Sequence, residues 1–349
     1  MTTSNQSLTL PLQSTDAPWV EKYRPATLED VKGQDRVIHL FQQMLLNNKP
    51  MHFLFYGPPG TGKTSTILSL CKELYLNRPR EQYVLEINAS YDRGIDMVRQ
   101  KIKPFCKRST TAFQTSSGQH TVNYKFVILD EADTLTNDAQ NALRRCIEIY
   151  SYNTRFCFLC NYVSNIIPPI LSRCYACHFK PVAKANALAL MQSICEKESV
   201  QHTPEMLSTV YDAFRGDLRG CLTTLQAVYH MYGKVTIEFI HEQMGAVDKN
   251  VWSKILGLPD IMAVHQLVNT LYQSGTSVRK LLLSLVEWSL TSCSPEEIET
   301  LGPLVSRMER QCLFQHDSRI LLLELVYTVW LFSKKQTTTC HNYSIDKIL

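Results

Sequence analysis

The octapeptide Gly57-Pro58-Pro59-Gly60-Thr61-Gly62-Lys63-Thr64 constrains the fold of this 349-residue chain more than any other feature. It follows the apolar run 51–56 and precedes a helix-like stretch from Ser65 onward. Strand, glycine loop and helix in that order form the setting in which backbone N–H groups converge on phosphate oxygens, with the helix dipole adding to the attraction. In that setting Lys63 is placed to neutralise β- and γ-phosphates, and the Thr64 hydroxyl to hold Mg²⁺. The pattern therefore predicts a nucleoside triphosphate site on a parallel α/β sheet.

The rest of the chain fits that class. Apolar runs at 52–56, 83–87, 125–129, 155–159 and 175–179 read as strands, and helical patterns fall around 34–47, 63–76, 94–106, 137–150 and 165–171. The segment 109–123 is Ser/Thr-rich and without period, so it reads as a surface loop. Beyond Pro181 the strand signal fades. Residues 183–247 read as short helices broken near 200–204, Gly216 and Gly233, and 248–349 as longer ones, for instance 278–290 and 320–332. The expected domains are a tail (1–18), a nucleotide domain (19–182), a helical lid (183–247) and an all-α domain (248–349).

Composition excludes several alternatives. Hydrophobic residues make up 44% and charged residues 19%, as in ordinary globular proteins. No run approaches the roughly 18 apolar residues of a membrane span, and residues 1–17 lack a signal-peptide core. A net charge of +4 permits nucleic-acid binding without requiring it. The twelve cysteines are scattered, which suits free thiols in a reducing compartment. Cys157-x2-Cys160 and Cys174-x2-Cys177 approach a zinc-ribbon spacing, but Cys157 and Cys160 lie on a predicted strand, where positions i and i+3 face opposite ways. Packed thiols are the expectation.

Downstream of the phosphate loop, Phe126-Val-Ile-Leu129 ends in Asp130-Glu131, placing two acids at the carboxyl edge of a buried strand, where open α/β sheets bind ligands. Asp130 is expected to take Mg²⁺ through water and Glu131 to polarise the attacking water. Asn161 ends the next strand, where its amide either faces the γ-phosphate or starts a turn. Arg173 precedes the last strand, and is either a surface residue or one offered to a phosphate on another molecule. Arg219 opens a lid helix from which it can reach back to the nucleotide.

Taken in order, Trp19-Val-Glu-Lys-Tyr-Arg-Pro25, the phosphate loop, Asn88-Ala-Ser90 with Arg93-Gly-Ile95, Asp130-Glu-Ala-Asp133, Ala142-Leu-Arg-Arg145, Ser172-Arg-Cys174 and Gly216-Asp-Leu-Arg219 carry a resemblance. Residues 19–247 closely resemble the small subunits of the sliding-clamp loader replication factor C, in the AAA+ superfamily. Features of both the fourth and the fifth subunit in human usage are present. Beyond about 248 the likeness is one of helical character only.

The resemblance implies an ATPase subunit of a nuclear hetero-oligomer, a pentamer. ATP binding orders its ring to grip and open a circular clamp, and primer–template DNA triggers hydrolysis and release. It implies that Lys63, Thr64, Asp130 and Glu131 are the Walker residues, with Asn161 as sensor 1 and Arg219 as sensor 2. Arg173 matches a finger acting on the neighbouring subunit. Val20, Tyr23, Arg24 and Pro25 fall where the family holds base and sugar, and Asn88 matches a polar switch restraining the catalytic glutamate. DNA phosphate contact is implied for Arg93, Arg99, Lys103 and Thr136.

Two departures stand out: Tyr91 replaces an acid, and Pro104 is expected to kink the basic helix near Lys103. A non-hydrolysing scaffold subunit and an independent AAA+ motor are the competing readings. The intact Lys63, Asp130, Glu131 and Arg173 argue against the first. The lack of a winged-helix pattern after 248 argues against the second.

Overall fold

The computed structural model describes residues 17–47, 49–76, 78–109, 113–114, 121–122, 124–237, 239–240, 251–314 and 318–337. The tail expected over 1–18 lies almost wholly outside them. Two compact units divide between Thr236 and Ile237.

In the first unit five parallel strands form one sheet: β1 (Phe53–Tyr56), β2 (Val84–Asn88), β3 (Lys125–Asp130), β4 (Thr154–Cys160) and β5 (Tyr175–His178), ordered β2-β3-β4-β1-β5. Because helices cover both faces, the central strands β1, β3 and β4 are buried almost throughout and read as continuous hydrophobic runs, whereas the edge strands β2 and β5 are partly exposed. Phe53, Phe55, Phe126, Ile128, Cys157 and Leu159 enter one core with Phe41 and Tyr75. Leu54, Val127, Leu129, Phe156, Phe158 and Cys160 enter the other with Val98 and Ile102.

That alternation sends Cys157 and Cys177 to one face and Cys160 and Cys174 to the other. Burial pushes the thiols of Cys160, Cys174 and Cys177 up to about 12, so they pack as neutral groups. No cluster able to hold a metal ion occurs among the described residues.

Four helices brace the sheet near the site: α1 (Asp35–Asn47), α2 (Lys63–Leu74), α3 (residues 95–107) and α4 (Asn137–Tyr150). Helix α3 covers the stretch expected over 94–106, with an irregular turn just before Pro104. It runs through Pro104, because Val98–Ile102 widens to a π-turn in which the Lys103 N–H reaches the Val98 carbonyl. A proline needs a place without an i→i−4 donor, and the wider turn supplies it, so Pro104 stands in the first turn of the next α segment, Lys103–Lys107. The segment 109–123 differs from expectation. Phe113–Gln114 pairs antiparallel with Thr121–Val122, and Val122 is buried. Residues 110–112, 115–120 and 123 of that loop lie outside the described residues.

Three further helices follow in the same unit: α5 (Lys184–Lys197), α6 (Pro204–Phe214) and α7 (Leu218–Tyr232). The second unit is helical, α8 (Val251–Leu256), α9 (Ile261–Gln273), α10 (Val278–Ser292), α11 (Pro295–Phe314) and α12 (Ser318–Thr337), around Trp252, Leu281, Leu285, Met308, Leu322 and Val329.

His52, just before β1, accepts a hydrogen bond at Nδ1 from the Phe156 N–H (3.1 Å), which requires a neutral ring. Burial, helped by the nearby Arg155 charge, lowers its pKa to about 4. The unfolded chain therefore binds the extra proton first, and this stability falls as pH drops from about 6.5 towards 4. Between pH 7 and pH 5 the loss should be about 2 kcal/mol. Urea unfolding at the two pH values should show that loss, and His52→Asn, which keeps an acceptor but cannot titrate, should shrink it.

Candidate nucleotide site

The phosphate loop leaves the carboxyl end of β1 and enters α2 directly. Its backbone demands glycine at two places. Gly57 has φ 145°, and a Cβ there would lie 2.2 Å from the Phe179 carbonyl oxygen. Gly60 has φ 68°, and a Cβ there would lie 1.6 Å from Asp217 Oδ1 at the start of α7. Loop and α7 therefore touch: the Leu218 N–H donates to the Gly60 carbonyl at 3.2 Å. Thr61 closes the loop from within, its hydroxyl donating to the Pro58 carbonyl at 2.9 Å. Pro58 and Pro59 are exposed, and Gly62, left-handed at φ 92°, precedes the first helical residue, Lys63.

Lys63 Nζ donates to the carbonyls of Gly57 and Pro58, both at 2.8 Å, and to Asn161 Oδ1 at 3.0 Å. An ammonium has three donors, and all three are engaged. Burial lowers the Lys63 pKa from its ordinary value, the Asp130 carboxylate opposes the shift, and the Arg219 charge adds to it. A phosphate arriving here exchanges neutral acceptors for charged ones, which makes stronger hydrogen bonds.

The strand register brings the polar partners to one edge. Asn88 pairs with Asp130, and Tyr56 with Cys160, so Asn161 emerges beside the loop. The Thr64 hydroxyl donates to Asp130 Oδ2 at 3.0 Å, placing two hard oxygen donors together, as a partly hydrated Mg²⁺ requires. Asp130 Oδ1 accepts the Glu131 N–H at 2.9 Å. Glu131 itself is exposed and left-handed (φ 52°), a conformation of the sparsely populated kind that clusters at functional sites. Asp133 Oδ2 accepts the main-chain N–H groups of Asn161 and Tyr162, both at 3.2 Å, and so fixes the backbone just past β4.

Val20, Tyr23, Arg24 and Pro25 close the opposite wall of a cleft of about 540 Å³, which Gly60, Thr61, Gly62, Lys63, Thr64, Ser65, Asp130, Glu131, Asn161 and Arg219 also line. Ile194 from α5 and Leu222 from α7 add apolar surface. The amino-terminal segment is pinned at several points. Trp19 is buried, its N–H donating to Gln226 Oε1 at 2.9 Å, and Ser69 Oγ donates to the Pro25 carbonyl at 3.0 Å. Tyr23 donates its hydroxyl to Glu198 at 2.6 Å, and Arg24 pairs with Glu21 at 2.6 Å. A cleft with one apolar flank and a cationic, N–H-rich floor suits a planar base joined to phosphates.

Residues 53–181 match the family described as ATPase family associated with various cellular activities (AAA). The probable replication factor C subunit 5 of Caenorhabditis elegans is 35% identical over 309 residues, 86% of this chain and 84% of that protein. Replication factor C subunit 2 of Schizosaccharomyces pombe is 42% identical over 320 residues, 89% of this chain and 93% of that protein. The chain belongs to the replication factor C small subunits. It is accordingly an AAA+ ATPase of the clamp-loader type. The Thermotoga maritima RuvB Holliday junction branch migration motor is similar in fold, with a TM-score of 0.50 at 15% identity over 80% of this chain and 91% of that one. At that identity the likeness concerns architecture alone.

In this replication factor C subunit Arg173 lies apart from the cleft. It precedes β5, whose first residue, Tyr175, pairs with Phe53 at the beginning of β1, whereas the phosphate loop leaves the end of β1. Asn88 is half-buried, and its Oδ1 accepts from the Ser90 N–H (2.8 Å) and hydroxyl (2.7 Å) in a tight local turn one strand from Asp130.

Arg93, Arg99 and Thr136 are exposed, whereas Lys103 is half-buried. The Arg93 carbonyl accepts both the N–H and the hydroxyl of Thr136 at 3.2 Å, which ties the turn before α3 to the cap of α4. Arg99 pairs loosely with Asp96 at 3.8 Å.

Several residues outside the predicted set also organise the site. Asp133 fixes the backbone at Asn161, and Asp217 caps α7 against the phosphate loop. Gln140, 1% exposed, donates to the carbonyls of Leu135 (3.2 Å) and Asn165 (2.9 Å) and accepts from Ile167 N–H (2.9 Å). An Asp directly before the apolar start of a helix is a capping signature, so Asp217 was legible. Gln140 was not, because its partners lie up to 27 residues away.

Proposed function

We propose that this subunit binds ATP with Mg²⁺ in the cleft and hydrolyses it within a nuclear hetero-pentamer, using the cycle to open a sliding clamp and place it on primer–template DNA. The observation that carries the reading is the convergence of Lys63, Asn161, Arg219 and the Thr64–Asp130 pair on one cleft.

In this reading Lys63 gives up carbonyl partners for the β- and γ-phosphates, while Asn161 and Arg219 hold the γ-phosphate from two sides. Val20, Tyr23, Arg24 and Pro25 seat the base and sugar, and the N–H groups of 57–65 cradle the phosphates. Thr64, and Asp130 through water, would hold Mg²⁺, which supplies charge neutralisation of the phosphate oxygens when bound. Glu131 polarises the attacking water, and Asn88 holds it back until DNA arrives. Lys63→Ala should reduce binding of a fluorescent ATP analogue severely at physiological salt. Wild-type affinity would overturn the assignment.

Arg93, Arg99 and Thr136, with Lys103 on the same helix as Arg99, are assigned to the phosphate backbone of the duplex. Such contacts are electrostatic and blind to sequence. In the assembled complex an Arg93→Ala, Arg99→Ala double variant should reduce the salt slope of DNA affinity by about two units, roughly one per lost phosphate. An unchanged slope would leave this face merely solvated.

A further inference from the structure

We infer that Glu148 is the positioning residue for Arg173, setting the guanidinium in place for the neighbouring subunit's nucleotide. The inference rests on the trans-acting role proposed for Arg173. The two residues are 25 apart in sequence and belong to different elements. Glu148 stands near the end of α4, and Arg173 follows the short helix Pro168–Leu171.

The Arg173 guanidinium makes three hydrogen bonds within the chain. Nη2 donates to Glu148 Oε1 at 2.7 Å. Nη1 donates to the Pro169 carbonyl at 2.7 Å and to Ser172 Oγ at 3.2 Å. A guanidinium carries five N–H donors in a rigid planar fork. Three are bound within the chain, and two remain for an acceptor outside it. An arginine that only decorated a surface would have no need of a carboxylate and two oxygens fixing its plane. The side chain stays partly open to solvent, at 35% exposure, so the remaining edge is accessible.

The platform beneath is stiff. Helix α4 is anchored to the segment before Arg173 by Gln140, which holds the Asn165 carbonyl and the Ile167 N–H. Glu148 therefore acts from the same helix that already fixes the path of the chain into Arg173. Glu148 and Arg173 are both well exposed, so their pairing contributes little to stability by itself. Its effect lies in orientation, where a misplacement of about 1 Å costs on the order of 10²-fold in rate.

The test uses the assembled complex with the phosphate loop of every subunit disabled except the presumed recipient of Arg173. Glu148→Ala should lower the recipient's kcat about tenfold, between the few-fold worth of an exposed pair and the full cost of misplacement. KM for ATP should not change. Glu148→Gln keeps an acceptor oxygen at the same reach and should recover most of the rate. In an Arg173→Ala background, Glu148→Ala should have no further effect. Wild-type or raised turnover in Glu148→Ala, with Arg173→Ala still depressed, would overturn the inference alone. Normal turnover in Arg173→Ala would overturn the trans-acting reading and this inference with it.

Discussion

Arg173→Ala should leave ATP binding by this subunit intact while depressing hydrolysis in the adjacent subunit by about 10³–10⁵. The direction follows from placement. Arg173 sits before the β5 residue that pairs with the start of β1, while the phosphate loop leaves the far end of that strand. It also does not line the cleft of its own chain. An arginine at an outer edge meets a nucleotide only if another subunit brings one. There it would stabilise charge spreading over the equatorial γ-phosphate oxygens in the transition state. The isolated subunit should be a poor ATPase for the complementary reason, since its own site lacks an incoming arginine. Steady-state turnover in complexes with a single functional phosphate loop measures the effect.

Glu131→Gln should bind ATP with near wild-type affinity yet lose on the order of 10²–10⁴ in turnover, the range for removing a general base. Asp130 and Glu131 are neighbours in sequence with separate surroundings. Asp130 ends a buried strand and is bound to Thr64, whereas Glu131 is exposed and its backbone turns into the left-handed region. Both residues nonetheless line the same cleft. An amide in place of the Glu131 carboxylate would keep the shape and lose the basicity. Single-turnover hydrolysis with the neighbours' sites silenced checks this, and wild-type turnover would remove Glu131 from the chemistry.

The strand runs, the phosphate loop and the paired acids were legible because each is written locally. A strand buried on both faces shows as a continuous apolar run, as in Phe126-Val-Ile-Leu129. A loop that must present backbone N–H groups shows as glycines, and Gly57 and Gly60 both occupy conformations that side chains avoid. The opposite faces of Cys157 and Cys160 followed from the two-residue period of a strand, and the two cores separate them in that way.

Only the tertiary structure decided the rest. Lys63 meets Asn161 across 98 residues, and Arg173 meets Glu148 across 25. Lys125 looks like an ordinary charged start to a strand, yet it is 1% exposed, its ammonium donating to the carbonyls of Phe105 and Arg108 at 2.6 Å. Pro104 reads as a kink near Lys103, but the π-turn over Val98–Ile102 that precedes it, with Val98, Ile102 and Phe105 in the core, appears only in the folded chain. In each case the deciding partner is distant in sequence. A short window of residues records propensity and period, but not which carbonyl, carboxylate or amide the folded chain will bring within hydrogen-bond reach.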